Sequence, residues 1–163
     1  MQFTLTCLSP DETMTLANKL APLLIKGDVL LLGGDVGVGK TDLARKIIQN
    51  RMELHGAIED VPSPSFTLVQ IYALGELDYI HADLYRLTHP DEVLELGLER
   101  GFDDAVCLVE WPDRLGTLVP ENALGIDISI IDDHARRFKF SWTHPRWSDR
   151  LGAINALYSG SSD

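Results

Sequence analysis

Residues 33–42 read GGDVGVGKTD and directly follow the apolar run DVLLL at 28–32. Gly34 to Thr41 fit the pattern G-x-x-x-x-G-K-[ST], in which glycines let backbone amides turn inward around phosphate oxygens. The residues that follow, 41–54, have the pattern of a helix, whose positive N-terminal end would point at the same oxygens. A buried strand, this loop and a helix in that order predict a phosphate-binding loop (P-loop).

The side chains of the P-loop have separate roles in this prediction. Lys40 brings a positive charge to the outer phosphates of a nucleotide, and Thr41 offers a hydroxyl to Mg²⁺. The residues expected to contact the nucleotide are Gly34, Asp35, Val36, Gly37, Val38, Gly39, Lys40, Thr41 and Asp42.

Two acidic residues stand at the ends of predicted strands. P-loop enzymes use a carboxylate at such a position to hold the metal, directly or through water. Glu110 ends the apolar run AVCLVE, which is typical of a central buried strand, so we assign it with Thr41 to the metal. Asp83 ends DYIHAD and becomes the candidate for orienting or deprotonating an attacking water. The catalytic residues predicted are therefore Asp83, Lys40 and Glu110.

Several neighbouring residues allow a functional and an ordinary interpretation. Residues 61–67, VPSPSFT, lie where many nucleotide hydrolases have a switch segment, but their composition favours a plain turn. His81 is expected to be a strand histidine satisfied by its neighbours. Trp111 is expected to pack rather than cover a ligand, and Arg86 to form a surface ion pair.

The chain of 163 residues is predicted to fold as a single P-loop domain over 1–158 with a flexible tail at 159–163. The order of elements mixes crossover helices with hairpins, so the fold class is α/β with a mixed parallel and antiparallel sheet flanked by helices. The predicted strands and helices are, in order, strand 2–8, helix 9–24, strand 28–32, helix 41–54, strands 66–72 and 77–85, helix 89–96, strand 105–110, a helical turn at 111–116, strands 124–131 and 136–142, and helix 146–157.

Charge and composition restrict the partners of the chain. It has 25 acidic and 14 basic residues and a net charge of −11, so the chain alone is not expected to bind a polyanion such as tRNA. Cys7 and Cys107 lack metal-ligand spacing and are expected to be buried free thiols. No secretory signal or membrane-spanning stretch is visible, so we expect a cytoplasmic protein that does not contact a membrane.

Five segments in this order resemble the TsaE family: GDVGVGKT, PSPSFTLVQIY, HADLYRL, ELGLERGF and VCLVEWPDRL. The similarity runs from about residue 9 to residue 140. The resemblance implies a small α/β ATPase that binds Mg-ATP at Gly34–Thr41, with a metal contact through Thr41 and Glu110 and a hydrolytic role for Asp83.

The resemblance also implies a pathway and a partner. The family is required for threonylcarbamoylation of adenosine 37 in tRNA (t6A), where it docks on the TsaB–TsaD heterodimer and its ATP hydrolysis resets the complex. The sequence departs from the family pattern at Asp42, where Thr or Ser is usual, and at Ser65, where Thr is frequent. The charge of Asp42 lies near the nucleotide, so we expect a weaker affinity than is typical of the family.

Other functions use the same loop. A small-molecule kinase would need an arginine-bearing lid, for which Arg136, Arg137, Arg146 and Arg150 are candidates, but their segments read as a strand and a helix. A regulatory GTPase usually has an N-K-x-D motif, which the sequence lacks. A nucleotide-gated binding module overlaps with the family role. No arginine finger is evident near the loop, so slow hydrolysis without a partner is expected.

Overall fold

The fold is described from a computed structural model over residues 1–56 and 58–159. The strands are β1 (Gln2–Cys7), β2 (Val29–Gly33), β3 (Val69–Leu74), β4 (Leu77–Asp83), β5 (Val106–Glu110), β6 (Leu124–Ile130) and β7 (Arg136–Ser141). The helices are α1 (Pro10–Leu20), α2 (Lys40–Glu53), α3 (Pro90–Glu95), α4 (Leu98–Asp104) and α5 (Arg146–Ser159), with 3₁₀ segments at Ala21–Leu23 and Pro112–Leu118.

The strands form one seven-stranded sheet in the order β1-β7-β6-β2-β5-β4-β3. The four central strands, β6, β2, β5 and β4, pair in parallel. Antiparallel pairs extend the sheet on both sides, through β7 and β1 at one edge and β3 at the other. The predicted α/β fold with a mixed sheet is therefore confirmed.

Helices cover both faces of the central sheet because its strands are apolar on both sides. Alternate residues of β2 point in opposite directions: Leu30 and Leu32 pack in a cluster with α1, α2 and α5. Val29 packs in a second cluster with α3 and α4. The continuously apolar runs of β2 and β5 follow from this two-sided burial.

Ser9, followed by Pro10 and by Glu12 three residues on, fits the pattern of a capping box, and the structure contains the Ser9 half of it, while the Glu12 carboxylate accepts from the Leu8 N–H. The Glu12 backbone N–H donates to Ser9 Oγ at 3.2 Å, and Pro10 occupies the first turn. Helical spacing puts Met14, Ala17, Ala21 and Leu24 on one face; the last three are buried as this predicts, but Met14 is 40% exposed. Leu16 and Leu20 are buried instead, because the stripe that faces α2 begins one residue earlier, at Thr13.

Three further details differ from the sequence predictions. β3 begins at Val69 rather than 66, because the chain turns at Leu68, whose N–H donates to the Pro64 carbonyl at 2.7 Å. Gly97, which ends the helix predicted at 89–96, is also the N-cap of α4, a helix that the sequence does not predict. Leu54, which helical spacing puts on the same side as Leu43 and Ile47, caps the end of α2 and is exposed, whereas those two are buried.

The cysteine prediction is confirmed: Cys7 and Cys107 are free and buried. Burial raises the pKa of Cys7 to about 11 and that of Cys107 to about 12, so both thiols stay protonated at neutral pH. α5 includes Ser159, and the rest of the predicted tail, 160–163, lies outside the described residues. Among the described helices, none combines the length and apolar character needed to cross a membrane.

A buried ionic cluster fixes the end of β2 that lies away from the P-loop. Asp28 is fully buried, and its carboxylate accepts hydrogen bonds from Arg150 at 2.6 and 3.0 Å and from Arg146 at 3.3 Å. The Ile25 N–H donates to the same carboxylate at 2.7 Å. These bonds connect α5 to the start of the central strand.

We expect Asp28→Ala to lower the free energy of unfolding by about 3 kcal/mol, because it leaves the arginine charges without their buried partner. Asp104→Ala is the matched control: it removes the same charge from an exposed pair with Lys26 at 3.9 Å and should cost under about 1 kcal/mol. Urea denaturation of both variants checks this. Equal losses in the two variants would contradict the role given to the buried cluster.

Candidate functional site

The P-loop connects β2 to α2 at the carboxyl edge of the parallel strands. Its glycines adopt positive φ angles, 130° at Gly34, 80° at Gly37 and 112° at Gly39. Gly34 also lies against the neighbouring strand: a Cβ there would be 2.4 Å from the Ile128 carbonyl oxygen. The glycine spacing in the sequence thus corresponds to backbone conformations that other residues rarely adopt.

Lys40, the first residue of α2, is 5% exposed and folds back over the loop. Its Nζ donates to the carbonyl oxygens of Gly34 at 2.5 Å and Asp35 at 2.8 Å, and it lies 4.1 Å from the centre of the Trp111 ring. Burial lowers the pKa of Lys40, and the nearby carboxylates, Glu110 first, oppose that shift. The ammonium is therefore held directly above the loop.

Thr41 and Glu110 meet although 69 positions separate them in the chain. The Thr41 hydroxyl lies 2.7 Å from Glu110 Oε1 and 2.9 Å from Oε2. Glu110 is 2% exposed at the end of β5, which pairs with β2 beside the P-loop. The hydroxyl and carboxylate predicted to share a metal are thus adjacent.

Asp83 lies next to Glu110, because the two are paired in the register of β4 and β5. Its Oδ1 accepts from the Tyr85 N–H at 3.0 Å, and its Oδ2 accepts from Ser65 Oγ at 3.1 Å. Ser63 Oγ is 2.7 Å from Ser65 Oγ, so two hydroxyls of the 61–67 loop connect to this carboxylate. That loop is a turn, as its composition favoured, and it also contacts the site.

A cavity of about 590 Å³ opens beside these groups and is lined by the P-loop, Asp83 and Glu110. Trp111, at a positive φ of 58°, lines it and packs on Tyr85 with ring centres 4.9 Å apart. Trp111 therefore both packs against a neighbouring ring and lines the cavity, so the two alternatives for this residue are compatible.

Arg86 also lines the cavity, 5.7 Å from the Phe66 ring centre, and the surface ion pair expected for it is not found among the described residues. Arg45, on the outgoing helix α2, lines the same cavity, and the expected absence of an arginine finger stays a prediction. The sequence position of Arg86, three residues after the strand-end Asp83, could have indicated that Arg86 lines the cavity, because the chain must pass the site as it leaves β4.

His81 approaches Glu110 from β4. Its Nε2 lies 2.7 Å from Glu110 Oε2, and the ring is fully buried. The sequence interpretation of a satisfied strand histidine holds for this nitrogen. Nδ1 is buried and has no hydrogen-bond partner in the part of the chain that the structure describes.

Comparison with known proteins follows the same motifs. The family model described as "Threonylcarbamoyl adenosine biosynthesis protein TsaE" matches residues 7–138. The chain belongs to the TsaE family. One relative is the tRNA threonylcarbamoyladenosine biosynthesis protein TsaE of Rickettsia bellii. It is 36% identical to this chain over 128 residues, which cover 78% of this chain and 87% of the relative. The Bacillus subtilis TsaE is 36% identical over 135 residues and 82% of each chain.

A solved TsaE-like structure supports the fold over nearly the whole chain. The crystal structure of Bacillus subtilis YdiB superposes with a TM-score of 0.77 and 28% identity, covering 96% of both chains. The TsaE family therefore accounts for the α/β fold. Its name associates the family with t6A biosynthesis.

Asp42, one of the two departures from the TsaE pattern, is not an isolated charge. It forms an ion pair with Lys46 and lies 3.9 Å from Arg45. These cations offset part of its charge on the exposed side of α2. The weaker nucleotide affinity expected from Asp42 stays a prediction.

The structure separates the arginines considered for a kinase lid. Arg136 Nε donates to the Val38 carbonyl at 3.0 Å and so ties β7 to the P-loop. Arg137 is exposed on the same strand. Arg146 and Arg150 bind Asp28, at the other end of β2.

Oxygen ligands near the loop suit a hard cation. Thr41 and Glu110 supply a hydroxyl and a carboxylate, the ligand types that Mg²⁺ prefers. No group of three or more His, Cys, Asp or Glu residues that could hold a metal occurs within 1–56 and 58–159. A magnesium ion here would therefore need ligands from a phosphate and water as well, as in other P-loop sites.

The close approach of Gly34 to β6 gives a prediction that requires no ligand. Gly34→Ala should lower the free energy of unfolding by about 3 kcal/mol, since it adds both a strained φ and a clash with Ile128. Gly37→Ala has open space around its Cβ and should cost only about 1 kcal/mol for its φ. Urea denaturation compares the two. A loss from Gly37→Ala as large as that from Gly34→Ala would contradict the close contact.

Proposed function

We propose that this chain is a Mg²⁺-dependent ATPase that serves threonylcarbamoylation of adenosine 37 in tRNA together with a TsaB–TsaD heterodimer. The observation that carries the proposal is the contact between Thr41 and Glu110 beside Asp83, at the mouth of a P-loop. The relatives' name, tRNA threonylcarbamoyladenosine biosynthesis protein, supports the pathway.

The P-loop would hold the phosphates of ATP through the backbone amides of residues 34–39 and the start of α2. Lys40 would exchange its hydrogen bonds to the carbonyls of Gly34 and Asp35 for the outer phosphate oxygens. The contacts of Lys40 with Trp111 and the loop keep its ammonium at this place before a nucleotide arrives. The Lys40 side chain then loses less conformational freedom when a nucleotide binds.

Thr41 and Glu110 would hold magnesium, the first through its hydroxyl and the second directly or through water. When bound, the ion would offset the negative charge on the outer phosphates. The hydrogen bond between the two side chains keeps both oxygens on the same side of the loop. Burial of Glu110 excludes competing solvent from its carboxylate.

Asp83 is the better candidate for the attacking water. Both carboxylates line the cavity, but Glu110 contacts Thr41, the other predicted metal ligand, whereas the hydrogen bonds of Asp83 among the described residues come from Ser65 and Tyr85. Asp83 would orient the water and take its proton. Its bond from Ser65 connects the carboxylate to residues 61–67, which supports a switch role for that loop.

The steps that involve tRNA would belong to the partner rather than to this chain. A net charge of −11 argues against tRNA binding by the chain alone. Transfer of the threonylcarbamoyl group would belong to TsaB–TsaD, and ATP hydrolysis here would reset that complex between rounds. A small-molecule kinase is the alternative, but Arg146 and Arg150 are engaged with Asp28, away from the cavity.

The two carboxylates should differ in their effects. Glu110→Ala should weaken Mg²⁺-dependent ATP binding at least about tenfold, because it removes a metal ligand. Asp83→Ala should keep binding within about threefold and lower hydrolysis about 100-fold, because a water-orienting group acts mainly in the transition state. Asp78→Ala, exposed on the same strand β4, is the control. Calorimetry and phosphate release measure both; loss of binding in Asp83→Ala alone would reverse the roles.

The isolated protein should bind Mg-ATP, hydrolyse it slowly and leave tRNA unshifted in a gel at physiological salt. Adding the TsaB–TsaD heterodimer should raise phosphate release or support repeated rounds of tRNA modification. Lys40→Ala, which removes the charge facing the outer phosphates, should lose ATP binding at least about tenfold with an unchanged circular dichroism spectrum. Rapid ATP hydrolysis at a rate that the heterodimer does not change would instead favour a kinase that transfers phosphate to water.

A further inference from the structure

Three hydrogen-bond contacts converge on one buried carboxylate. The Thr41 hydroxyl lies 2.7 Å from Glu110 Oε1 and 2.9 Å from Oε2, and His81 Nε2 lies 2.7 Å from Oε2. The Thr41 hydroxyl has a single hydrogen and can donate to one oxygen at a time. The shortest contacts therefore assign Thr41 to Oε1 and His81 to Oε2, so that each carboxylate oxygen has its own donor.

The proton on His81 follows from the same geometry. An ionised carboxylate only accepts hydrogen bonds, so Nε2 carries the hydrogen and donates it. Nδ1 is then a buried acceptor without a donor among the described residues. The other tautomer would leave a buried N–H unpaired, which is rarer in proteins than an unpaired acceptor.

Burying the His81 ring at this position in the sheet costs free energy, and a role in the site would explain why the residue is there. It lies on β4 between Tyr79 and Asp83, on the face that packs against α2, and is fully buried. A leucine or valine would satisfy this apolar face without burying an unpaired ring nitrogen. Residues that break a local packing rule in this way concentrate at functional sites.

We propose that His81 is a positioning residue that fixes the Glu110 carboxylate in the orientation in which it meets magnesium. This inference rests on the proposed function. A hydroxyl that binds a metal must turn a lone pair toward it, which constrains its bond to Glu110. The bond from His81 comes from the neighbouring strand, away from Thr41, and holds Oε2 whether or not Thr41 turns.

The test measures binding of a fluorescent N-methylanthraniloyl derivative of ATP as Mg²⁺ is titrated, and again in EDTA. His81→Leu removes the donor and should shift the Mg²⁺ midpoint upward about tenfold, the size typical of lost metal-orienting partners. Binding in EDTA should stay at the wild-type level. His81→Gln, whose amide can donate to the same oxygen, should recover most of the shift. His81→Phe, which fills the ring volume, is measured beside His81→Leu in case that variant does not fold.

Ile80→Ala is the matched control, because Ile80 is the neighbouring residue of β4 and packs on the opposite face with α4. It should lower the melting temperature and leave the Mg²⁺ midpoint unchanged. A wild-type midpoint in His81→Leu and His81→Phe, or an equal shift in Ile80→Ala, would overturn the positioning role while leaving the proposed function intact. Wild-type binding that ignores Mg²⁺ would instead overturn the proposed function and this inference with it.

Discussion

Parallel pairing of β2 with β5, and of β5 with β4, is the constraint on which the site depends. Leu32 pairs with Glu110, and Glu110 pairs with Asp83, so three strands end at one edge. Side chains alternate along a strand, so a slip of one residue in β5 would turn Glu110 toward the face that α3 and α4 cover. Glu110 favours this register, because the slip would take its carboxylate away from Thr41 and His81 and bury it against the apolar residues of α3 and α4.

β2 is held at both of its ends, and this keeps the P-loop in place. Before the strand, Asp28 binds the arginines of α5. After it, Gly34 lies against Ile128 of β6, and Arg136 of β7 donates to the loop carbonyl of Val38. None of the predicted catalytic residues lies on β6, β7 or β1, yet β6 and β7 support the P-loop through these contacts. A loop with a fixed backbone can direct its amides at an anion without being ordered first.

The sequence was sufficient wherever a local pattern determines the structure. Glycine spacing, the Ser9 cap of α1 and the continuously apolar strands each follow from the conformation or burial of a few adjacent residues. The contacts of His81 and Arg86 were missed because they depend on pairing between strands and on the path of the chain after β4. Met14 alone was misplaced on the buried face of α1, because two overlapping apolar stripes fit one helix and only packing against α2 chooses between them.

Charge distribution links the fold to the chemistry proposed for it. The chain is strongly acidic, but three cations, Lys40, Arg45 and Arg86, line the same cavity. Two buried carboxylates, Glu110 and Asp83, lie beside them and would repel a triphosphate. Arg45 already has Asp42 and the Val61 carbonyl as partners, which leaves less of its charge for a ligand. A metal ion between Glu110 and the phosphates would turn that repulsion into attraction, so the acids that oppose a free nucleotide would favour its magnesium complex.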